Sequence, residues 1–335
     1  MKKIFILAFF VSQMMYSQGG EKVFYFLDVR TSARQAALGG KALTILDDAN
    51  QPLWNPATIN KDLDNQLAVN YLNFLAGVNY GSFSYSKFIN EKVGTFNMGV
   101  TYANFGTLIE ADEQGNETGT FTAYDMAISL GYAYKLAESP FTVGANVKFI
   151  NSVIHDYSSS GIAVDLGLIY QAKESPFEAT LVFRNMGTQI TEYDEVREEI
   201  PFEIALGASY RLENVPLKWY LTLDNLQQWQ VAYANPSNTT QDFEGNTSEE
   251  EISAVENAFR HVVLGVELFP ESGFNIRLGY NYRRAKELQV KDLRTFAGVS
   301  AGFGLRVKKL KFSYAFTKYH PAENTSTFSL QINLN

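Results

Sequence analysis

The stretch Phe328-Ser329-Leu330-Gln331-Ile332-Asn333-Leu334, near the end of the chain, alternates strictly between apolar and polar residues. A second stretch, Phe202-Glu203-Ile204-Ala205-Leu206-Gly207, follows a similar two-residue pattern, which recurs from about residue 67 onward. A period of two places successive side chains on opposite faces of a β-strand. One face is rich in Phe, Tyr, Leu and Val, and the other carries Asn, Asp, Arg, Lys and Gly. That division is typical of strands with lipid on one side and a polar lumen on the other.

The composition fits a closed β-barrel better than a helical membrane protein. The chain has 335 residues, a mean hydropathy of -0.15 and no long apolar run beyond its N-terminus. Because every second residue of a barrel strand faces away from lipid, mean hydropathy stays low while strand pairing satisfies the backbone. The chain is also rich in aromatic residues, with 19 Tyr and 25 Phe, and Tyr suits the membrane-water interface. A soluble β-sandwich or propeller is the alternative that this composition leaves open.

The first residues predict a secretory signal peptide over residues 1–17. Lys2 and Lys3 precede a short apolar stretch, and a cut after Ser17 would leave Gln18 at the start of the mature chain. The chain has no Cys, which excludes disulfides, thiolate metal ligands and lipid attachment at cysteine. Its net charge of -8 argues against a nucleic-acid partner.

Stretches of alternation bounded by Gly, Pro, Asn, Asp or Ser predict about fourteen strands, many of them long enough to cross a bilayer at a tilt. Short links alternate with long ones, as in barrels that turn tightly in the periplasm and form longer loops outside. The 74–77 link is short for an outside loop. The predicted strands cover residues 66–73, 78–88, 94–104, 121–136, 141–154, 161–172, 177–185, 202–212, 217–226, 260–268, 274–283, 296–307, 310–318 and 327–335. We therefore predict an all-β fold, a transmembrane antiparallel β-barrel of about 14 strands over residues 66–335, in the cell outer membrane.

Residues 18–65 lie before the first predicted strand and do not alternate. They contain Ser32-Ala33-Arg34, Gly39-Gly40 and Trp54-Asn55-Pro56-Ala57 among many apolar residues. Because those apolar residues need burial, we predict an N-terminal hatch or plug that folds into the lumen. A loose periplasmic tail is the alternative.

Eleven charged residues of the predicted strands share the phase that faces the lumen, since each would be costly against hydrocarbon. Mixed signs inside a narrow barrel favour a structural ion-pair network over a conduit. On the twelfth strand Gly298, Gly302 and Gly304 share this phase and predict a close approach of neighbouring backbone. The charged residues are Asp125, Lys148, Asp165, Glu178, Arg184, Glu203, Arg211, Asp224, Glu267, Arg277 and Arg283.

The long links on the outer side are acidic, and one is also aromatic. Carboxylate clusters can hold calcium, but no EF-hand spacing is present and solvated loop faces are favoured. The 227–259 loop carries Trp229, Tyr233 and Phe243, which predict a partner-binding loop. Packing of these side chains over the barrel rim is the alternative.

Catalysis has little support in the sequence. His155, His261 and His320 are dispersed, and neither a Gly-x-Ser-x-Gly nor a His-Glu-x-x-His motif occurs. We therefore predict that the protein is not an enzyme, with no catalytic residues, no metal site and no cofactor. A barrel hydrolase is the alternative.

The N-terminal motifs carry a family resemblance. The run Phe26-Leu27-Asp28-Val29-Arg30-Thr31-Ser32-Ala33-Arg34-Gln35-Ala36-Ala37-Leu38-Gly39-Gly40, followed by Leu46-Asp47-Asp48-Ala49 and Trp54-Asn55-Pro56-Ala57, resembles the PorV and PorQ outer-membrane proteins of the Bacteroidetes type IX secretion system. Those proteins are similar to FadL-type barrels, whose hatch also carries an Asn-Pro-Ala element. The Phe26-Leu27 start and the loop at 106–123 resemble the PorQ branch more closely.

The resemblance implies a fourteen-stranded, non-enzymatic barrel that anchors cell-surface secretion and attachment proteins through its extracellular loops. Outer-membrane lipid, a PorZ-like surface protein and other type IX secretion components are then the expected partners. Ser32, Ala33, Arg34, Gly39, Gly40, Asn55 and Pro56 form the hatch motif. A FadL-like channel for hydrophobic compounds is the alternative function, which would need a continuous apolar path past the hatch.

Overall fold

The computed structural model describes residues 22–194, 196–233, 240–241, 247–248, 252–289, 296–320 and 323–335. Fourteen antiparallel strands in this part of the chain form a closed barrel, which confirms the predicted fold. Each strand pairs with its neighbours in sequence, and the last strand closes the barrel by pairing with the first. The strands are β1 (Gln66–Asn73), β2 (Asn79–Asn90), β3 (Gly94–Ala111), β4 (Glu117–Lys135), β5 (Phe141–Ile154), β6 (Tyr157–Gln171), β7 (Phe177–Thr191), β8 (Glu203–Arg211), β9 (Leu217–Leu223), β10 (Val262–Leu268), β11 (Phe274–Asn281), β12 (Val299–Val307), β13 (Leu310–Thr317) and β14 (Thr325–Asn333).

The two faces of the strands separate lipid from lumen as the alternation predicts. On β1, Val69 and Tyr71 are 46% and 48% exposed, while Ala68, Asn70 and Leu72 between and beside them are buried. Strand pairing satisfies the polar groups of the backbone within the wall, so the outward apolar side chains can face lipid. The alternation in the sequence therefore indicates which side chains face lipid and which face the lumen.

Some strand ends differ from the sequence prediction, each for a local reason. β9 ends at Leu223, three residues early, and Asn225 just beyond it has a left-handed φ of 52°. β11 ends at Asn281 rather than residue 283, because the Asn281 side chain accepts a hydrogen bond from the amide of Arg284 and caps a helix. At the β3–β4 hairpin both strands are longer than predicted, extending to Ala111 and starting at Glu117.

The described residues include three short helices that are not part of the barrel wall: α1 (Ala33–Ala37), α2 (Ala254–Phe259) and α3 (Tyr282–Glu287). The described residues also include two short strands, Thr240–Gln241 and Thr247–Ser248, that pair with each other. None of the described helices has the length and apolar character needed to cross a membrane.

Residues 22–65, here called the lumenal segment, run through the interior of the barrel. The segment starts where Val23 donates to the carbonyl of Glu199, in the long β7–β8 connection, at 2.9 Å. It ends at the opposite rim, where the carbonyl of Asn65 accepts from Leu334 at 2.9 Å. Between these points it contains α1 and four 3-10 turns, Tyr25–Asp28, Gln51–Leu53, Pro56–Thr58 and Lys61–Leu63.

Small residues on the inner wall let the lumenal segment pack backbone against backbone. A Cβ on Gly279 of β11 would lie 2.0 Å from the nitrogen of Gly39 and 2.4 Å from the carbonyl carbon of Leu38. Gly302 of β12 faces the methyl group of Ala37, which is the close approach that the glycine pattern predicts. Gly144 of β5 receives the backbone of Pro56 in the same way.

We predict that Gly279→Ala unseats the lumenal segment. The new methyl group would overlap backbone atoms of Leu38 and Gly39, which cannot rotate away as a side chain can. The overlap should destabilise the seated segment by roughly 1–3 kcal/mol or more. Trypsin cleavage at Arg30 and Arg34 in the folded barrel measures the effect. Gly81→Ala is the control, because its Cβ would make an ordinary 3.6 Å contact with the carbonyl oxygen of Asn70. Equal protection in both variants would contradict the prediction.

Candidate partner-binding site at the outer end of the barrel

The longer connections gather at one end of the barrel, which is the extracellular end in bacterial barrels of this kind. We call it the outer end. Its connections are residues 74–78, 112–116, 155–156, 192–202, 224–261, 282–298 and 318–324; the last four are longer than any turn at the other end, where the turns span two to five residues. What the outer end can do depends first on what the lumen beneath it holds.

A buried carboxylate on β8 ties the lumenal segment to the wall. Glu203 accepts from Arg184 of β7 at 2.7 Å and from Lys41 of the segment, and Arg30 of the segment lies 3.6 Å away. Lys41 also pairs with Asp224 at 2.8 Å. Because these groups are almost fully buried, each needs its partners to offset the loss of hydration.

An aromatic ring of the lumenal segment lies beside the same charges. The guanidinium carbons of Arg30 and Arg184 lie 4.1 Å and 4.5 Å from the centre of the Trp54 ring. Cations favour the face of an indole ring, most strongly where water is absent. Trp54 therefore helps to hold two neighbouring arginines that would otherwise repel each other.

A second buried network contains Arg34 of the predicted hatch motif. Arg34 bonds Asp47 at 2.8 Å and Glu267 of β10 at 2.7 Å, and Glu267 also pairs with Arg277 of β11 at 2.8 Å. Next to it, the amide of Ala33 donates to the hydroxyl of Ser329 on β14 at 2.8 Å. The side chain of Ser32 is buried at the N-cap of α1 but makes no cap hydrogen bond.

The remaining hatch-motif residues shape the backbone of the lumenal segment. Gly39 and Gly40 both have left-handed φ angles, 86° and 98°, and the amide of Gly39 donates to Ser300 of β12 at 3.0 Å. Asn55 accepts from the amide of Ala57 and donates to the carbonyl of Leu43 at 2.8 Å. Pro56 begins the 3-10 turn that this bond caps. The structure thus places all seven motif residues in the interior, where they contact the wall and each other.

Most of the charges predicted to face the lumen do so, and many pair with one another. Lys148 and Asp165 form an ion pair at 2.7 Å on adjacent strands, and Asp165 also accepts from the amide of Asn185. Arg211 differs, because it lies at the inner rim, half exposed, and bonds Glu271 of the β10–β11 turn. Among the described residues, the mixed charges of the lumen form ion pairs between strands.

The β9–β10 connection presents two of the three predicted partner-binding aromatics to solvent. Trp229 and Tyr233 are 61% and 62% exposed. Phe243 lies outside the described residues. Exposed Trp and Tyr side chains are typical anchors of protein interfaces because each buries a large area with little loss of side-chain entropy.

Buried polar side chains hold the backbone that carries these aromatics. Asn257 of α2 accepts from the amides of Val231 and Ala232 at 3.2 Å and 3.1 Å, and its amide nitrogen donates to the carbonyl of Trp229. Arg260 donates to the carbonyl of Tyr233 at 3.1 Å. The backbone of residues 229–233 is therefore held in place around the two exposed rings before any partner arrives.

His261 completes this support. Its two ring nitrogens lie 2.6 Å and 3.1 Å from the carbonyl oxygens of Asp224 and Trp229, and its ring stacks with the Trp229 ring at 5.9 Å. Sequence reasoning did not assign a role to Asn257, Arg260 or His261. The cap signal of Ser253 at the start of α2, three residues before Glu256, could have placed Asn257 on a short helix with Arg260 and His261 directly after its end.

The acidic residues of the outer connections serve local structure where the structure describes them. Asp112 accepts from the side chain of Asn116 at 2.9 Å and from the amides of Gln114 and Asn116, and these bonds lower the pKa of the Asp112 carboxyl. Within the described chain no group of three or more His, Asp or Glu is placed to hold a metal ion.

A cavity of about 960 Å³, here called the outer cavity, opens beside the start of the lumenal segment. Its walls are mainly apolar and aromatic, and Arg284 stacks over Tyr319 at 4.1 Å on one side. Residues on its walls include Phe24, Phe74, Tyr80, Phe105, Leu108 and Tyr193. Below it the lumen is filled by the buried ion pairs around Glu203.

We predict that Glu203→Gln loosens the lumenal segment. Removing the charge leaves Arg30, Lys41 and Arg184 without their shared anion, and breaking a buried pair costs about 3–5 kcal/mol. Current across planar bilayers provides the measurement, with more frequent opening expected than in the unsubstituted protein. Glu178→Gln is the matched control, since Glu178 pairs with Lys218 at 2.6 Å on the wall alone. Indistinguishable currents in the two variants would count against this role of Glu203.

Comparisons with known proteins agree with this architecture. The chain is similar to the toluene transporter TbuX of Ralstonia pickettii, with a TM-score of 0.55, 11% identity and coverage of 93% of this chain and 100% of that one. It is also similar to a mutant of the TodX monoaromatic hydrocarbon channel, with a TM-score of 0.51, 12% identity and coverage of 91% and 97%. At this identity the likeness extends to the fold alone. No curated protein matches the chain.

The family assignment comes from the first two thirds of the chain. The model of the family described as Type IX secretion system protein PorV matches residues 21–215, which include the lumenal segment and β1 to β8. Together with the closed fourteen-stranded barrel, this match locates the protein in the outer membrane. The chain belongs to the PorV family of type IX secretion system proteins.

Proposed function

We propose that this protein is a non-enzymatic outer-membrane barrel that anchors cell-surface secretion and attachment proteins through its outer connections. The observation that carries the proposal is the pair of exposed aromatics, Trp229 and Tyr233, on a backbone held by buried Asn257 and Arg260. A preorganised aromatic pair binds a partner with a small entropic cost, because the backbone of residues 229–233 is already held by hydrogen bonds.

The lumen supports the same proposal. The lumenal segment runs through the barrel and forms buried ion pairs with the wall, which favours a support over a conduit. Because the lumenal segment occupies the lumen, we infer that partners bind the outer connections, whose aromatic and acidic side chains face the cell exterior. A PorZ-like surface protein and other type IX secretion components are the partners that the family membership suggests.

The finer branch assignment is part of this proposal. The start of the chain and the 106–123 loop predict the PorQ branch, whereas the family match is to PorV and lends the PorQ preference no support. Both branches imply the same role, so the anchoring proposal does not depend on this choice.

We predict that replacing Trp229 and Tyr233 together by Ala reduces partner capture by at least about tenfold, since truncating an aromatic hot spot costs about 2 kcal/mol or more. A photo-crosslinker at Gln230 in intact cells, followed by identification of the captured proteins, provides the measurement. Val255→Ala is the control, because Val255 is also exposed in the same connection but carries no aromatic ring. The amount of folded barrel in the outer membrane is measured in parallel.

Two outcomes would contradict the anchoring proposal. Unchanged partner capture by the double variant would show that Trp229 and Tyr233 are not part of the interface. Surface proteins that all stay in place when the barrel is absent from the cell would contradict the function itself.

A second candidate function is a FadL-like channel for hydrophobic compounds, and the outer cavity with its aromatic walls favours it. The two similar structures are those of a toluene transporter and a monoaromatic hydrocarbon channel. Uptake of a hydrophobic probe into vesicles that contain the protein separates the two functions. The anchoring function predicts no uptake above that of empty vesicles.

A further inference from the structure

Two strands continue beyond the ladders that join them to the rest of the barrel. The β2–β3 ladder ends at the pair Asn79–Asn104, and the β4–β5 ladder ends at Ala123–Ile154. From there β3 and β4 pair with each other alone in the described chain, through five residue pairs from Thr107–Thr122 to Ala111–Glu117. We call residues 107–111 and 117–122 the outer ribbon.

The β3 edge of the outer ribbon is uncovered because its neighbour is short. The 74–78 link turns back at once, with the amide of Phe74 donating to the carbonyl of Val78 at 3.0 Å. Every residue from 107 to 120 is exposed. An isolated two-stranded ribbon is only marginally stable in water, so a third strand would stabilise the outer ribbon.

The direction of the free backbone groups follows from one hydrogen bond. The amide of His155 donates to the carbonyl of Thr122 at 3.2 Å, so the backbone groups of Thr122 point away from β3. Thr122 lies opposite Thr107, which makes this a non-hydrogen-bonded pair of the β3–β4 ladder. Alternation then directs the N–H and C=O groups of Thr107 and Ile109 to the uncovered edge, where an added strand would bond them.

The side chains indicate the chemistry of that strand. Glu110, Asp112, Glu113 and Glu117 are acidic, and residues 93–134 contain no Lys, Arg or Pro. Native sheets commonly protect a free edge with Lys or Pro, and this edge carries uncharged Thr107, Leu108 and Ile109 instead. An added segment rich in Lys or Arg would complement the four carboxylates.

We propose that the β3 edge of the outer ribbon binds an extended, positively charged segment of a surface partner as an added β-strand. Main-chain hydrogen bonds to Thr107 and Ile109 supply the affinity, and the carboxylates select basic side chains. The proposal rests on the proposed function, because it names the kind of partner segment that the outer end holds.

The test uses the full chain in lipid nanodiscs and three fluorescent peptides of equal length. The first alternates Thr or Val with Lys, the second replaces each Lys with Glu, and the third is the Lys peptide with N-methyl groups on alternate amides. N-methylation keeps the charge but removes the donors that strand pairing needs. We expect the Lys peptide to bind at low salt, and the other two to bind at least about tenfold more weakly.

A protein variant tests the same edge from the other side. Ile109→Pro removes the free N–H while leaving the bonds between β3 and β4 in place, and should weaken binding of the Lys peptide by about tenfold or more. Ile109→Val keeps the N–H and serves as the matched control. Hydrogen exchange at Ile109 should slow when the Lys peptide is added.

Several results would overturn strand addition. They are absence of binding by the Lys peptide, equal binding of its N-methylated form, or unchanged binding by Ile109→Pro. The capture experiment through Gln230 is scored separately. Lost peptide binding with normal capture overturns the strand proposal alone, whereas failure of capture in cells overturns the proposed function.

Discussion

The buried carboxylate of Glu203 is the group on which the rest of the interior depends. Burial of an isolated carboxylate would cost several kcal/mol, and the cations Arg30, Lys41 and Arg184 offset this cost for Glu203. Two of these cations belong to the lumenal segment and one to the wall. Arg30 and Lys41 of the segment therefore depend on a carboxylate of the wall, and these ion pairs tie the segment to the wall.

The same dependence repeats lower in the lumen. Arg34 of the segment neutralises Glu267 of the wall, which lies 233 residues away in sequence. Where the segment is apolar it meets glycine, as at Gly279 and Gly302, and its backbone lies against the sheet. Ion pairs thus determine which parts of the lumenal segment and the wall are in contact. Glycines of the wall, which lack side chains, let the two backbones approach closely.

Because the charges of the lumen are used in structural ion pairs, we infer that partners bind at the ends of the barrel. At the outer end, Asn257, Arg260 and His261 hold the β9–β10 connection so that Trp229 and Tyr233 remain exposed. The barrel shares its architecture with hydrocarbon transporters, but a shared fold does not carry a shared function.

Much of the fold could be predicted because its signals are local. Alternation along each strand separates lipid from lumen, and turn residues mark the ends, so the barrel and its about fourteen strands follow from the pattern. The strand ends at Leu223 and Asn281 were missed because a left-handed residue and a helix cap decide them. Both are single-residue effects that an alternating pattern overlooks.

The candidate site was less predictable, since it depends on contacts between distant residues. The exposed aromatics could be named from the loop that contains them, but their support by Asn257 and His261 requires the helix α2 to fold back on the loop. By itself the sequence determined the barrel, its two faces and the non-alternating N-terminal segment, because period and composition act locally. Tertiary structure alone decided which charges pair across the lumen and which strand edge stays free, because both depend on neighbours that are far apart in the chain.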